Sequence, residues 1–152
     1  MKTGDKVPLD TFLTTSGAKS FKHYHGSWIV LYFYPKDATP GCTTEGCDFR
    51  DNDKDFSMFN ATILGVSCDS LSSHERFKAN QNLTFDLISD EDESLCEAFG
   101  VMKMKSMYGK QVRGIERSTF IIDPHGVIRH VWRKVRVRGH VDEVLETLQA
   151  MQ

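Results

Sequence analysis

The seven residues Trp28 to Tyr34, WIVLYFY, form the longest unbroken apolar run of the chain. Most of them are β-branched or aromatic, and they show no alternation of polar and apolar positions, which is typical of a strand covered on both faces. Such a strand needs a layer of structure on either side, and in βαβ proteins helices supply those layers. The run is too short to cross a bilayer. The chain is therefore expected to fold around a sheet flanked by helices.

Strand-like and helix-like segments alternate after this run. Phe49 and Phe56 lie on one helical stripe, and the next segment, ATILGVSC, is again apolar and strand-like. The predicted order is a hairpin, three strands alternating with three helices, two more strands and a last helix: 9–21, 28–34, 43–59, 61–68, 71–82, 85–89, 91–100, 117–123, 126–134 and 141–150. This order predicts an α/β fold with a mixed central sheet flanked by helices and an N-terminal β-hairpin, in a single domain over residues 1–152.

Other segments give finer expectations. Residues 101–116 have no clear period and are predicted to form a long loop. Ser72 or Ser73 is available as the N-cap of the helix at 71–82. The six histidines show no metal-ligand spacing beyond the weak pair His23 and His25, and they are expected to lie in surface loops.

Charge and composition limit the partners of the protein. The formal net charge is -2, so nothing global attracts nucleic acid or an anionic membrane. Basic residues between Arg129 and Arg138 alternate with apolar ones, which favours a strand with one solvated face over a nucleic-acid interface. The first ten residues lack the apolar core of a signal peptide, which predicts a cytoplasmic location. We expect no cofactor, no metal, no nucleic-acid partner and no membrane partner.

Cys42 stands at the junction between the apolar run and the helix after it. Sites in sheets of this kind gather beyond the carboxyl ends of the strands. Pro40 and Gly41 suit a tight start to a helix, whose unpaired N–H groups and positive dipole end favour thiolate over thiol. In a cytoplasm, disulfides tend to be catalytic or redox-sensing. The position therefore favours a reactive cysteine over an inert buried one.

Cys47 follows Cys42 at a C-x4-C spacing. That spacing fits neither a typical zinc site, which needs a second half of cysteine or histidine, nor the C-x-x-C of dithiol oxidoreductases. On an ideal helix, residues five apart have Cα atoms about 8.6 Å from each other. A disulfide needs about 4.4 to 6.8 Å. If the two cysteines pair, the first turns of the helix must therefore unwind.

The residues around the first cysteine, together with one distant arginine, resemble the peroxiredoxin family. Pro35-x-x-x-Thr39-x-x-Cys42 matches the active-site motif of that family, and Arg117, which opens RSTFIID, matches its distant arginine. The spacing from Cys42 to Cys47 resembles the PrxQ branch, also called bacterioferritin comigratory protein. The segments ILGVSCD, LISDED and CEAFGV resemble the same branch.

The resemblance implies a thioredoxin-like fold and the reduction of hydroperoxides. Cys42 would be the attacking thiolate, Thr39 would position the peroxide through its hydroxyl, and Pro35 would shield the sulfur from water. Arg117 would bring a fixed charge to the thiolate and the peroxide oxygens. Negative charge develops on the departing oxygen, and prepositioned donors and cations stabilise it. Glu45 is either an anchor for this arginine or an acid favoured by the helix dipole.

The resemblance also implies the rest of a catalytic cycle. Cys42 sulfenic acid would condense with Cys47, and thioredoxin or a similar dithiol protein would reduce the disulfide. Hydrogen peroxide and organic hydroperoxides are the implied substrates, and a monomer is the implied assembly. Cys96 is the alternative resolving residue but is interpreted as mostly structural, and Cys68 as a buried small residue. A sensor with the same thiol switch and little turnover is the second hypothesis.

Overall fold

The computed structural model describes all of residues 1–152. Its strands are β1 (Phe12–Thr14), β2 (Gly17–Lys19), β3 (Trp28–Phe33), β4 (Ala61–Ser67), β5 (Asp86–Ser89), β6 (Met102–Met107), β7 (Lys110–Ile115), β8 (Ser118–Ile122) and β9 (Ile128–Trp132). Its helices are α1 (Pro40–Met58), α2 (Leu71–Gln81), α3 (Ser94–Ala98) and α4 (His140–Ala150). None of the helices combines the length and the apolar character that a membrane span requires.

Seven strands form one mixed sheet in the order β2-β1-β5-β4-β3-β8-β9. β3, β4 and β5 pair in parallel, as expected for βαβ units, and the other strands of this sheet pair in an antiparallel manner. β3 lies between β4 and β8, and all of its residues are buried. The predicted mixed sheet, with an N-terminal hairpin at one edge, is therefore confirmed.

The uniform burial of β3 results from two separate cores, one on each face of the sheet. Leu31 and Phe33 contribute to the first core, whereas Val30 and Tyr32 contribute to the second. Helices α1 and α4 cover the second core, to which Phe49 of α1 belongs. Successive residues of a strand point to opposite faces, so an apolar strand without alternation fills both cores.

The prediction of a long loop at residues 101–116 was wrong. Strands β6 and β7 pair there as a separate two-stranded hairpin, with register from Met102 opposite Ile115 to Met107 opposite Lys110. Most of these residues are exposed on both faces of the hairpin, so burial imposes no apolar period on the sequence. The turn at Tyr108 and Gly109 has positive φ at both residues, 53° and 77°, as in the type I′ turns that suit two-residue hairpin loops.

Two helix starts also differ from the prediction. The N-cap of α2 is Ser70, not Ser72 or Ser73, and its Oγ accepts a hydrogen bond from the backbone N–H of Ser73 at 3.2 Å. Several serines in a row make the cap ambiguous, because each offers the same short oxygen acceptor. α1 begins at Pro40, three residues before the predicted start at residue 43, and Cys42 lies in its first turn, as expected from the Pro40-Gly41 entry.

Candidate active site

Cys42 lies where the central strand passes into the first helix. After β3, a short loop leads to Thr39, the N-cap residue of α1, and Pro40 occupies the first helical position. Proline fits this position because its fixed φ suits a helix and no backbone N–H is left unpaired. Cys42 therefore sits in the first turn, at the positive end of the helix dipole. It is only 2% exposed, so the sulfur lies below the surface.

Arg117 reaches the thiol from the neighbouring strand. It directly precedes β8, and the pairing of Ser118 with Phe33 brings it beside the end of β3. Its Nη2 donates a hydrogen bond to Sγ of Cys42 at 3.3 Å, and its Nη1 donates to Oε1 of Glu45 at 2.5 Å. The sheet thus joins two side chains that stand 75 positions apart in the sequence. A guanidinium with fixed donors in this place stabilises a negative charge on sulfur.

Glu45 anchors the arginine from the buried side of α1. Burial raises the pKa of Glu45 to about 7, although the charge of Arg117 acts in the opposite direction. Burial alone would lower the pKa of Arg117, but Glu45 and Cys42 outweigh it, so the net pKa is raised and the guanidinium stays charged. Of the two interpretations of Glu45, the ion pair supports the anchor.

Gly41 leaves room for the guanidinium. A Cβ added to Gly41 would lie 3.3 Å from Nη2 of Arg117, which is tighter than an ordinary side-chain contact. A larger residue before Cys42 would require the guanidinium to shift by a few tenths of an ångström. From the sequence, Gly41 indicates only a tight helix start, because the position of the distant arginine is a tertiary feature.

Thr39 and Pro35 lie near Cys42 along the chain but bond elsewhere. Thr39 Oγ1 donates to the carbonyl oxygen of Lys36 at 2.8 Å, so this hydroxyl closes the loop rather than contacting the sulfur. The carbonyl of Thr39 accepts the first hydrogen bond of the helix, from the N–H of Thr43 at 2.9 Å. Pro35 is exposed at the start of the loop. Of the five predicted site residues, the structure brings Cys42 and Arg117 into direct contact.

A buried network that no sequence pattern indicated holds the loop between β3 and α1. The Asp37 carboxylate accepts hydrogen bonds from Tyr34 Oη at 2.6 Å and from Ser73 Oγ at 2.9 Å. Nδ1 of His74 contacts the same carboxylate at 2.7 Å, and its Nε2 faces the carbonyl oxygen of Ile88 at 2.9 Å. Both ring nitrogens of His74 therefore face oxygen atoms, one on the loop and one on β5.

The same network ties the loop to two neighbouring segments. Burial would raise the pKa of Asp37, but the hydrogen bonds from His74 and Tyr34 outweigh it and hold the pKa below its ordinary value. The backbone N–H of Asp37 donates to Oδ2 of Asp69 at 2.9 Å, just after β4. Removing one hydrogen-bond partner of a buried polar group is costly, because the group that remains is left unsatisfied. The loop that precedes Cys42 is therefore held in one conformation.

The expectation that the histidines lie in surface loops was wrong for His74 and His140, which are both buried, and for His130, which is half-buried on β9. His140 opens α4, and its Nε2 lies 2.8 Å from Oγ1 of Thr119. A usable signal was present for His74 and His140, because each shares a helical stripe with a buried apolar residue. His74 precedes Phe77 by three positions, and His140 precedes Val144 by four.

Cys47 lies on the same helix as Cys42 but is kept away from it. It is half-buried, and its Sγ donates to Oε1 of Gln81 on α2 at 3.6 Å. α1 runs without a break from Pro40 to Met58, and both thiols are free. The two Cα atoms of an intact helix at this spacing are about 8.6 Å apart, beyond the reach of a disulfide.

Comparison with known proteins places this site in a family. The model of the AhpC/TSA family matches residues 3–131. "Peroxiredoxin Bcp" of Bacillus subtilis is 55% identical over 99% of this chain and 97% of its own length. The protein of the same name from Xanthomonas campestris pv. campestris is 53% identical over 95% of this chain and 94% of its own.

Solved structures agree with these relatives. The C47S mutant of Xylella fastidiosa PrxQ is 47% identical, with a TM-score of 0.95 over 99% of this chain and 97% of that chain. A Xanthomonas campestris bacterioferritin comigratory protein, described for its alkyl peroxide reduction activity, is 49% identical, with a TM-score of 0.89 over 97% of this chain and 99% of that one.

The fold and the site together define a cysteine-dependent peroxidase with the thioredoxin fold. The chain belongs to the AhpC/TSA family of peroxiredoxins and, within it, to the PrxQ or bacterioferritin comigratory protein subfamily. It is an enzyme that reduces hydroperoxides with thiols. The resemblance noted in the sequence, and the thioredoxin-like fold that it implied, are confirmed.

Proposed function

We propose that the Cys42 thiolate is the atom that attacks the hydroperoxide. The contact that carries this proposal is the hydrogen bond from Arg117 Nη2 to Cys42 Sγ at 3.3 Å, in a site where Glu45 holds the other arm of the guanidinium. The sulfur attacks the terminal peroxide oxygen, the O–O bond breaks, and the departing alkoxide or hydroxide takes a proton. The products are Cys42 sulfenic acid and an alcohol or water.

Arg117 stabilises the charge that moves during this step. The negative charge starts on sulfur and ends on the departing oxygen, so a fixed cation close to both is worth more in the transition state than in the resting site. Thr39 would position the peroxide if its hydroxyl turned from the Lys36 carbonyl toward the substrate. Pro35 would cover the sulfur at the mouth of the site.

Cys47 is the proposed resolving cysteine. Its thiolate attacks the sulfenic sulfur of Cys42, a disulfide forms, and the sulfenic oxygen leaves as water. The unbroken α1 helix makes this step conditional on local unfolding, because the helical spacing of the two residues exceeds the reach of a disulfide. Local opening of a helix end costs less than global unfolding, so such a step is compatible with a stable fold.

Thioredoxin or a similar dithiol protein then reduces the disulfide by exchange. The proposed substrates are hydrogen peroxide and organic hydroperoxides. We infer that the protein acts as a monomer built from one domain, residues 1–152, in the cytoplasm, where a reducing thiol pool is available. No further cofactor is needed, since the two electrons come from the two thiols.

A steady-state assay with thioredoxin, thioredoxin reductase and NADPH tests the proposal. Cys42→Ser is expected to consume no peroxide. Cys47→Ser should complete the first turnover, as sulfenic acid trapping would show, and then stop because thioredoxin finds no disulfide. Cys96→Ser, the matched control, should turn over like the wild-type protein. Normal recycling by Cys47→Ser would transfer the resolving role to Cys96 or an external thiol, and turnover by Cys42→Ser would refute the assignment of the attacking sulfur.

A further inference from the structure

A second pair of cysteines lies in contact outside the site described above. Cys68 directly follows β4, Cys96 lies on α3, and their Sγ atoms are 3.9 Å apart. Cys96 is fully buried, whereas Cys68 is half-buried and so accessible to a small solute. Both thiols are free. Sulfur atoms at this separation are in van der Waals contact, and small side-chain rotations would bring them to bonding distance.

The segments that carry the two thiols are fixed to each other. The backbone N–H of Asp90 donates to the carbonyl oxygen of Ser67, the residue before Cys68, at 2.9 Å. The Asp90 carboxylate accepts from the N–H of Leu95 at 3.0 Å and from the N–H of Cys96 at 2.7 Å. Asp90 thus links the end of β4 to the start of α3. Each of its two oxygens accepts one of these backbone N–H groups.

We propose that Cys68 and Cys96 are a second redox-active dithiol, which hydroperoxides oxidise to an intramolecular disulfide without unwinding a helix. In the first step the Cys68 sulfur attacks a peroxide oxygen, the O–O bond breaks, and an alcohol or water leaves. In the second step the Cys96 sulfur attacks the sulfenic sulfur of Cys68, and water leaves. The peroxide gains the two electrons that the two thiols lose.

The electrostatic surroundings assign the roles within the pair. The hydrogen bond with Cys96 lowers the pKa of Cys68, although burial and the nearby carboxylates Asp90, Glu93 and Asp69 oppose it. The same contact raises the pKa of Cys96, whose burial acts in the same direction. Cys68 is therefore the thiol that ionises first and reacts first, and Cys96 is its partner in the condensation.

The reaction at Cys68 is expected to be much slower than that at Cys42. Arg117 contacts the Cys42 sulfur, whereas the charged groups that act on Cys68 are acids. A missing prepositioned donor typically lowers a rate by about 10²- to 10³-fold. The second pair therefore becomes oxidised only when peroxide exceeds what the peroxidase cycle removes.

The experiment uses the variant Cys42→Ser/Cys47→Ser, in which Cys68 and Cys96 are the remaining thiols. It is treated with excess hydrogen peroxide and mapped by mass spectrometry, with folding checked by circular dichroism. We expect the loss of two hydrogen masses, a peptide link between residues 68 and 96, and full reversal by dithiothreitol. The matched control, Cys42→Ser/Cys47→Ser/Cys96→Ser, should form no link and should accumulate sulfenic and then sulfinic acid at Cys68.

Retention of both thiols, or sulfinic acid at Cys68 beside an intact Cys96 thiol in the double variant, would overturn the proposal, and so would a link between two molecules. If the double variant folds poorly, the wild-type protein answers the same question. One equivalent of peroxide should leave Cys68 and Cys96 reduced, and a large excess should oxidise them. Because the double variant lacks both cysteines of the proposed catalytic cycle, its result is independent of that cycle.

Discussion

The two cysteine pairs invert the relation between sequence distance and spatial distance. Cys42 and Cys47 are near neighbours in the chain, yet a continuous helix holds their Cα atoms about 8.6 Å apart. Cys68 and Cys96 are 28 positions apart, yet their sulfur atoms are 3.9 Å from each other. The first pair has to break structure in order to bond, and the second has to break none. Secondary structure separates one pair, and tertiary packing assembles the other.

The two cysteine pairs also differ in the charges that surround them. In the first pair, the sulfur of Cys42 faces Arg117, which Glu45 holds in place. The half-buried sulfur of Cys68 in the second pair has carboxylates around it, and its lowered pKa depends on the hydrogen bond with the neighbouring thiol. We therefore expect the first pair to react quickly with peroxide but to need a conformational step before it bonds, and the second pair to react slowly but to have its partner already in contact.

Arg117→Met is expected to have the largest effect, because it removes the positive charge that distinguishes the first cysteine pair from the second. The substitution removes the cation while keeping a side chain of similar length, so the rate of Cys42 oxidation should fall by roughly 10²- to 10³-fold. Stopped-flow fluorescence with hydrogen peroxide measures this rate. Arg113→Met is the control. Arg113 lies on the exposed hairpin and pairs with Glu93 and Glu97 at α3, so its loss should leave the rate of Cys42 oxidation unchanged. An equal loss in both variants would contradict a specific role for Arg117.

His140 should make the free energy of unfolding depend on pH. Burial, assisted by Arg117, lowers the pKa of His140 to about 4. The unfolded chain, with a pKa near 6.5, therefore binds more protons at acid pH, and stability is lost as pH falls from about 6.5 toward 4. Between pH 7.5 and 5.0 this contribution amounts to about 2 kcal/mol.

Urea unfolding at pH 7.5 and at pH 5.0 measures the contribution of His140 when the wild-type protein is compared with a variant that lacks this histidine. His140→Gln keeps a polar side chain near Thr119 and cannot titrate, so it should lose about 2 kcal/mol less than the wild-type protein on acidification. His125→Gln, at an exposed turn, should behave like the wild type. Comparing variants removes the contribution of Glu45, whose raised pKa acts in the opposite direction, destabilising the fold as pH rises from 4.5 to about 7.

Gly46→Ala is expected to have the smallest effect on the rate of a catalytic step. It lies in the spacer, residues 43–46, which separates Cys42 from Cys47. An added Cβ would meet Leu83 at 3.5 Å and Tyr32 at 3.7 Å, which are ordinary contacts. Alanine stabilises a helix interior by about 0.5 to 1 kcal/mol relative to glycine. If α1 must unwind before the disulfide forms, resolution of the sulfenic acid should slow by about two- to fivefold, with the peroxide step unchanged.

Rapid-quench alkylation gives the rate of disulfide formation for this comparison. Ser57→Ala, which raises helix propensity near the end of α1 and outside the spacer, is the matched control and should resolve at the wild-type rate. A Gly46→Ala variant that resolves as fast as the wild type would contradict unwinding of α1 as the step that limits resolution.

The sequence predicted what a local pattern or a motif can encode. β3 was recognisable because two cores bury every one of its residues, which leaves an unbroken apolar run. Cys42 and Arg117 were recognisable because a family motif includes the cysteine and the family also has a distant arginine. The hairpin of β6 and β7 was missed because exposed strands carry no burial period. The contact between Asp37 and His74, 37 positions apart, depends on the conformation of one loop. The contact between Cys68 and Cys96 likewise follows from packing that no spacing rule encodes.

Amide hydrogen exchange of residues 42–50 tests the difference between the two pairs most directly. The protein is compared in its reduced form and after one equivalent of peroxide, with the Cys42–Cys47 disulfide verified by mass spectrometry. We expect protection in this segment to fall sharply on oxidation, because the helix and the disulfide exclude each other. Residues 90–98, around Cys96, should keep their protection in both forms. Unchanged protection of residues 42–50 in the disulfide form would contradict the requirement for unwinding.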